Sequence, residues 1–186
     1  MRIFATIRWL CSLSLALLCV LGGPSAAGAD AAVEKLKPDV EASLERFKKA
    51  DSGLGGLISA AAGYAVFPKA GKGGFVLGGG HGSGLVFEKG TLIGSAKMSQ
   101  FTFGAQIGGQ SFSELILFET AAALEQFKES RFEMTAQVGA VAAAEGLSKN
   151  AKYVDGVMVF TLANRGLMAE ASVGGQKFAF TPSATK

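Results

Sequence analysis

Residues 71–84 read GKGGFVLGGGHGSG, and eight of these fourteen residues are glycine. The stretch also contains His81, the only histidine of the chain. It does not fit a P-loop, because Val66 stands where the first glycine should be and Gly73 stands where Ser or Thr should be. A dinucleotide fingerprint fails as well, since no three glycines have its spacing and no helical pattern follows. The glycines therefore need another explanation.

A period-two pattern explains these glycines better than a phosphate-binding loop does. Every second residue from 78 to 84 is glycine, so one face of the predicted strand is almost bare. A bare face lets another backbone, a helix or a ligand come close, and it favours a sharp bend. We expect a tightly curved corner of a sheet. The alternative is a smooth floor for a ligand or an acyl chain.

The segments around this stretch show helical patterns first and strand patterns afterwards. The apolar spacing of residues 31–50 predicts an amphipathic helix, in which Pro38 can open a second helix. Residues 54–63 are a weaker helical segment. From Tyr64 onward the period is mostly two. The first predicted strand is 64–67, which Pro68 ends, and residues 72–90 form either two strand-like runs or one long bent strand that turns at 88–90. Further strands are predicted at 99–112, 114–119 and 131–141. A hairpin over 155–175 turns at 164–166, and residues 177–182 close the domain.

Two of these segments carry further detail. In residues 99–112, Phe101, Phe103, Ala105 and Ile107 share one face, a pattern typical of a half-buried antiparallel strand. Thr120 is placed to cap a short helix that packs Leu124 and Phe127. Together, about eight or nine short strands and two or three helices predict an α+β fold, with a mainly antiparallel sheet that forms a closed or nearly closed barrel or sandwich.

The first thirty residues have the features of an export signal. Arg2 and Arg8 precede an apolar run at 9–23, and Ala27-Gly28-Ala29 fits the cleavage pattern. We predict a signal peptide at 1–29, cleaved after Ala29, and a location in the periplasm or cell envelope, or secretion. An uncleaved anchor is the alternative, although the run is short for one. Lipidation at Cys19 is disfavoured by the residues before that cysteine.

The remaining residues, 30–186, show no repeat or linker and are predicted to form one domain, with helices in 31–63 and a β-rich core in 64–181. Loss of Arg2 and Arg8 lowers the net charge from +3 to +1, which is not typical of nucleic-acid binding. No zinc motif is present, and neither a metal nor a cofactor is predicted. A catalytic triad could use only His81 and Asp155, without the usual nucleophile elbow, so we predict no enzyme and keep a cryptic hydrolase as an alternative.

Several segments, taken in order, resemble the SYLF lipid-binding domain. They are AVFP (65–68), GGFVLGGGHGSGLV (73–86), FTFGAQIGGQSF (101–112), the ELILFET segment with its following AL and F (114–127) and RGLMAEASVGGQKF (165–178). The resemblance spans about 33 to 180. It implies a non-enzymatic module that binds phospholipid, with a preference for phosphoinositides in eukaryotic members, and some fungal relatives also bind actin filaments.

For an exported bacterial-type protein, the resemblance implies an anionic bacterial phospholipid or a host lipid as the partner. The basic residues nearest the matched glycine strands are the predicted headgroup contacts: Lys69, Lys72 and Lys97. The amphipathic helix offers Val40, Leu44 and Phe47 for the bilayer interface, although such a stripe can also simply cover the domain core. The alternative function is a structural or self-associating envelope protein that forms homo-oligomers through strand edges.

Overall fold

The computed structural model describes residues 26–129, 133–134, 141–142 and 145–183. In chain order the elements are α1 (Ala26–Ala50), α2 (Leu54–Ala60), β1 (Gly63–Glu88), β2 (Thr91–Phe118), α3 (Ala121–Lys128), β3 (Glu133–Met134), β4 (Val141–Ala142), a 3-10 turn (Leu147–Lys149) and β5 (Val157–Pro182). The predicted α+β class with a mainly antiparallel sheet is confirmed.

Three very long antiparallel strands form most of the sheet. β1 and β5 each have 26 residues and β2 has 28. β2 lies between the other two, and β5 also pairs with β3 and with the parallel strand β4. Among the described residues no pairing joins β1 to β3 or β4, so the expected closure into a barrel is not confirmed.

The prediction of eight or nine short strands is wrong because two expected breaks are absent. β1 continues through Pro68, with a register shift between Phe67 and Ala70. Proline is tolerated there because β1 is an edge strand, whose outer amides need no partner. β5 likewise continues through the predicted turn at 164–166, with a register shift beside Asn164. The turn at 88–90 is confirmed, since Lys89 and Gly90 have φ of 47° and 81° and join β1 to β2 in a two-residue hairpin.

β1 folds back on itself, and the glycine stretch makes this possible. A Cβ at Gly80 would lie 2.7 Å from the carbonyl oxygen of Gly71, and a Cβ at Gly84 would lie 2.7 Å from a ring carbon of Phe67. Real Cβ atoms essentially never make contacts this short. The two halves of β1 therefore touch at positions where only hydrogen fits, and the prediction of a tightly curved sheet corner is confirmed.

The fold-back encloses the main core between the two halves of the sheet. Phe67 from one half and Phe178 from the other have ring centroids 5.6 Å apart. α3 closes this core, with the ring of Phe127 5.2 Å from that of Phe178. Thr120 accepts a hydrogen bond from the Ala123 amide and caps α3, while Leu124 and Phe127 are buried, as predicted.

A second core lies between the sheet and the first two helices. The predicted helix over 31–50 is confirmed as part of α1, which is one helix with Pro38 inside it rather than two. α2 ends at Ala60, three residues before the predicted end. The buried side chains of this core include Val33, Val40, Phe47, Leu54, Leu115, Leu117 and Phe160.

Hydrogen bonds fix the end of α1. Asp51 is only 1% exposed and accepts hydrogen bonds from the amide and hydroxyl of Ser148, each at 2.7 Å, and from the Gly53 amide at 3.0 Å. Arg46 donates to Asn164 Oδ1 at 2.5 Å and so ties α1 to β5. None of the helices in the described part of the chain is long and apolar enough to cross a membrane.

Of the predicted strand over 131–141, β3 and the first residue of β4 are described as strand, and the remaining residues lie outside the described part of the chain. The predicted signal peptide also lies outside it, except for residues 26–29, which form the first turn of α1. Its cleavage stays a prediction.

Candidate functional site

One surface of the folded sheet is left uncovered by the helices, and we call it the open face. It is defined by Leu77, Gly79, His81 and Ser83 of β1 with Lys97, Ser99 and Phe101 of β2, which are all exposed. The strand register places Gly79 opposite Phe101, His81 opposite Ser99 and Ser83 opposite Lys97. Residues that are directly opposite each other in a ladder project to the same side, so these side chains form one continuous surface.

The open face has an apolar end. Leu77 is 68% exposed and Phe101 is 57% exposed. Only one other large hydrophobic residue of the described part of the chain, Val154, is exposed. Two of these three lie together, across the bare position Gly79. Phe101 was expected on the buried side of its strand, and the structure reverses that orientation: the half-buried neighbour is Gln100.

The other end of the open face is basic. Lys97 is exposed there, and His81 lies one ladder step away. Lys177 is on the same side through its pairing with Ser99, but Glu133 of β3 is its other register partner. Lys97 and Lys177 are therefore exposed lysines that the described strands place at this end.

A shallow depression joins the open face to α1. His81 and Ser83 line it together with Asp39, Pro68 and Lys69. Lys69 and Asp39 form an ion pair of 2.9 Å whose side chains are 70% and 48% exposed, so the pair contributes little to stability and its lysine stays accessible. Of the three predicted headgroup lysines, the structure thus places Lys69 and Lys97 on either side of Ser83.

The other predicted lipid contacts lie elsewhere. Lys72 points to the inner side of the sheet, with its ammonium 5.8 Å from the ring centroid of Phe112. Val40 and Phe47 are 1% and 0% exposed, and Leu44 packs partly buried beside them. The apolar stripe of α1 therefore covers the core in this conformation. Its contact with lipid stays a prediction that requires α1 to leave the sheet.

A buried polar cluster lies on the inner side of the fold-back. Glu114 is 1% exposed and Gln176 is 7% exposed, and Gln176 Nε2 donates to Glu114 Oε2 at 3.0 Å. Gln100 is the register partner of Gln176 on the neighbouring strand. These three residues line a half-open cavity of about 290 Å³, together with Lys72, Gln110, Phe112, Thr161 and Ala163.

The cluster is rich in acceptors that have no donor. The Oε1 atoms of Glu114, Gln100 and Gln176 are buried and make no hydrogen bond. Burial raises the pKa of Glu114 to about 7, although the hydrogen bond from Gln176 and the charge of Lys72 both act to lower it. A buried polar atom without a partner is costly, so the sheet tolerates this arrangement at some loss of stability.

Sequence reasoning missed this cluster, although a signal for it was present. Phe112, Ile116 and Phe118 are inward-facing at even positions of β2. Period-two counting therefore also places Glu114 inward. The predicted strand over 114–119 begins at Glu114, so the prediction puts this residue at a strand end instead of in a strand interior.

The described residues do not bring the side chains proposed for a hydrolase together. His81 lies at the exposed depression beside Asp39 and Lys69, whereas Asp155 occupies the turn before β5 and does not line that depression. Within the described residues no group of three or more His, Cys, Asp or Glu side chains is arranged to hold a metal ion.

The fold and site define a small α+β protein whose long sheet doubles back and presents a partly apolar, partly basic surface. Residues 99–186 match the family model described as "Ysc84: Las17-binding protein actin regulator". The resemblance to the SYLF family that the motifs predicted is thereby confirmed. Members of this family are generally not enzymes.

One characterised relative extends the similarity toward the N-terminus. Over 123 residues, or 66% of the chain, the sequence is 32% identical to Beta cell expansion factor A of Aeromonas veronii. The aligned stretch is 47% of that protein, so the chain spans about half the length of the relative it matches.

Proposed function

We propose that this protein is a non-enzymatic phospholipid-binding domain that docks on membrane surfaces through its open face. The proposal rests on the composition of the open face: Leu77 and Phe101 are both more than half exposed at one end, and Lys97 lies at the basic end. Apolar side chains beside cations are the composition that suits the boundary between acyl chains and anionic headgroups. The SYLF resemblance supports the same function.

The expected strength of this docking is modest. Complete burial of a Leu or Phe side chain contributes about 1.5–3 kcal/mol, and Leu77 and Phe101 would each gain part of that on insertion. Lys97 would add about 1 kcal/mol near an anionic surface. We therefore expect reversible binding that favours anionic membranes and weakens with salt.

We also propose that the protein is exported and meets its membrane in the periplasm or cell envelope, or after secretion. The leader pattern of residues 1–29 supports this location. Mass spectrometry of the protein purified from its native host checks it, because cleavage after Ala29 would leave Asp30 as the first residue. An intact Met1, or an acylated Cys19, would contradict the proposed processing.

Vesicle flotation tests the open face directly. The double variant Leu77→Ser with Phe101→Ser should bind anionic vesicles at least about tenfold more weakly. The reason is that the free energy of binding gained by inserting these two side chains falls to less than half of its wild-type value. Both side chains are exposed, so the folded state should keep its stability. Lys97→Gln should reduce binding and its dependence on salt. The matched control is Lys152→Gln, an exposed lysine away from the open face. Unchanged flotation of the double variant would refute the proposed surface.

A cross-link separates the open face from the apolar stripe of α1. The hydroxyl oxygens of Ser43 on α1 and Ser113 on β2 are 3.5 Å apart, so cysteines at these two positions are close enough for a disulfide. The oxidised variant keeps α1 on the sheet and holds Val40, Leu44 and Phe47 in the core. If the open face binds the membrane, oxidised and reduced forms should float equally. Loss of binding only in the oxidised form would assign insertion to α1.

A further inference from the structure

The Glu114 cavity offers three hydrogen-bond acceptors and one negative charge. Gln176 uses its amide nitrogen to donate to Glu114, which fixes its oxygen as an acceptor. The free oxygens of Glu114, Gln100 and Gln176 have no donor, and Glu114 and Gln176 are both more than nine-tenths buried. A ligand that fits this cluster must therefore donate several hydrogen bonds, and the carboxylate of Glu114 favours a ligand with positive charge.

A primary ammonium group meets these requirements better than a divalent metal ion does. It has three N–H donors for three acceptors, and its single charge matches the single carboxylate. A divalent ion prefers several carboxylates, and the cavity lining has only Glu114 and also includes the cation of Lys72.

The size and exposure of the cavity suit the end of a small molecule. Its volume of about 290 Å³ exceeds the need of one amine, and it opens to solvent on one side. The free oxygens are covered in this packing. Gln100 carries one of the free oxygens and is only half-buried, so its side chain can turn to admit the amine.

We propose that the Glu114 cavity binds the terminal primary ammonium of a small amine, either free or as the ethanolamine headgroup of a phospholipid. The lipid form of this proposal rests on the proposed membrane-binding function, whereas the free-amine form does not. Binding would place a donor opposite each of the three free oxygens and would neutralise the buried carboxylate.

Ethanolamine and choline form a matched pair of probes, since choline keeps the charge but has no N–H donor. We would titrate the protein with each in amine-free buffer above pH 7, where Glu114 is ionised, and follow the side-chain amide NMR signals of Gln100 and Gln176. Ethanolamine should shift these signals in a saturable way and choline should not. Equal responses to both probes, or saturation by Ca²⁺ in place of ethanolamine, would overturn the proposal.

Two variants locate the site. Glu114→Gln removes the charge while keeping an amide partner for Gln176, and it should weaken ethanolamine binding at least about tenfold. Gln100→Met removes one acceptor without changing any charge and should weaken binding several-fold. Glu125→Gln is the control, because Glu125 is exposed on α3 and pairs only locally with Lys128. Ethanolamine binding that is unchanged in both Glu114→Gln and Gln100→Met would overturn the assignment.

Vesicles distinguish the two sources of the amine. We would compare phosphatidylethanolamine with phosphatidylcholine vesicles that contain equal fractions of an anionic lipid. If a lipid headgroup enters the cavity, the wild type should prefer the ethanolamine vesicles and Glu114→Gln should lose that preference while still binding the anionic lipid. Binding without preference, together with a positive ethanolamine titration, assigns the site to a free amine. Absence of binding to every vesicle would refute the membrane function and leave the titration result standing.

Discussion

Substitution of Glu114 by glutamine should make the protein more stable at neutral and alkaline pH. The carboxylate is 1% exposed and lies on the inner side of the folded sheet. Burial is the main reason that its pKa rises from the ordinary 4.5 to about 7. Glutamine keeps the shape of the side chain, accepts the hydrogen bond from Gln176 and supplies N–H donors close to acceptors that have none.

The size of the effect follows from proton linkage. Between pH 4.5 and pH 7 the folded protein holds a proton on Glu114 that the unfolded chain has lost, so the free energy of unfolding falls as the pH rises through this window. One pKa unit corresponds to 1.36 kcal/mol, so the whole window corresponds to about 3 kcal/mol. Below pH 4.5 both states are protonated and the ionisation of Glu114 no longer affects stability.

Urea unfolding at a series of pH values, in amine-free buffer, tests this reasoning. The wild type should lose stability from pH 4.5 to pH 7, and Glu114→Gln should remove most of that slope. The two proteins should be similar in stability at the acid end and differ by about 3 kcal/mol above pH 7. Glu125→Gln on the surface of α3 should leave the profile unchanged. A Glu114→Gln protein with the wild-type slope would show that Glu114 is not desolvated.

Three further substitutions test other parts of the fold. Gly84→Ala should destabilise the protein by about 1–3 kcal/mol in urea unfolding, because its Cβ would collide with Phe67 in the fold-back of β1. A Cβ at Gly71 in the same strand meets no atom within 4 Å, so Gly71→Ala should change the free energy of unfolding little. Equal effects of the two substitutions would contradict the fold-back. Asp51→Ala should cost about 2–3 kcal/mol because it leaves the Ser148 amide without its acceptor. Burial acts to raise the pKa of Asp51, but hydrogen bonds from Ser148, Gly53 and Gly146 lower this pKa overall. The stabilisation by the Asp51 carboxylate should therefore be present at neutral pH and be lost as the pH falls below the pKa of an ordinary aspartate. An Asp51→Ala protein that loses stability in acid as much as the wild type does would refute this reasoning. Thr120→Ala should lower the free energy of unfolding by about 1 kcal/mol through loss of the α3 cap, with Thr91→Ala as an exposed control that should change less.

Helix starts, helix faces and turns could be predicted from the sequence, because interactions between residues close in the chain decide them. The spacing of Val33, Val40 and Phe47 at helical intervals indicated the amphipathic helix α1, since that spacing puts all three on one face. Thr120 indicated the start of α3 because a hydroxyl can accept from an amide three residues later. Lys89 and Gly90 lie in a two-residue turn at which both residues take positive φ. The family motifs fixed the resemblance.

The lengths of the strands depended on tertiary packing. Pro68 is a strand breaker only if its missing amide hydrogen is needed, and it is not needed at the edge of a sheet. Nothing local distinguishes an edge strand from a central one. The same holds for residues 164–166, where pairing with β2 keeps β5 extended through a sequence that resembles a turn.

By itself, the sequence determined that a strand over residues 71–84 has little side-chain bulk on one face, because glycine has no side chain, and it favoured a bend there. Only the tertiary structure decided what occupies that space, which is the other half of β1, packed against Gly80 and Gly84. The same fold-back turned Phe101 outward and carried Glu114 and Gln176 inward. Burial is a property of where two distant segments meet, and the residues that form the open face and the Glu114 cavity are defined by that meeting.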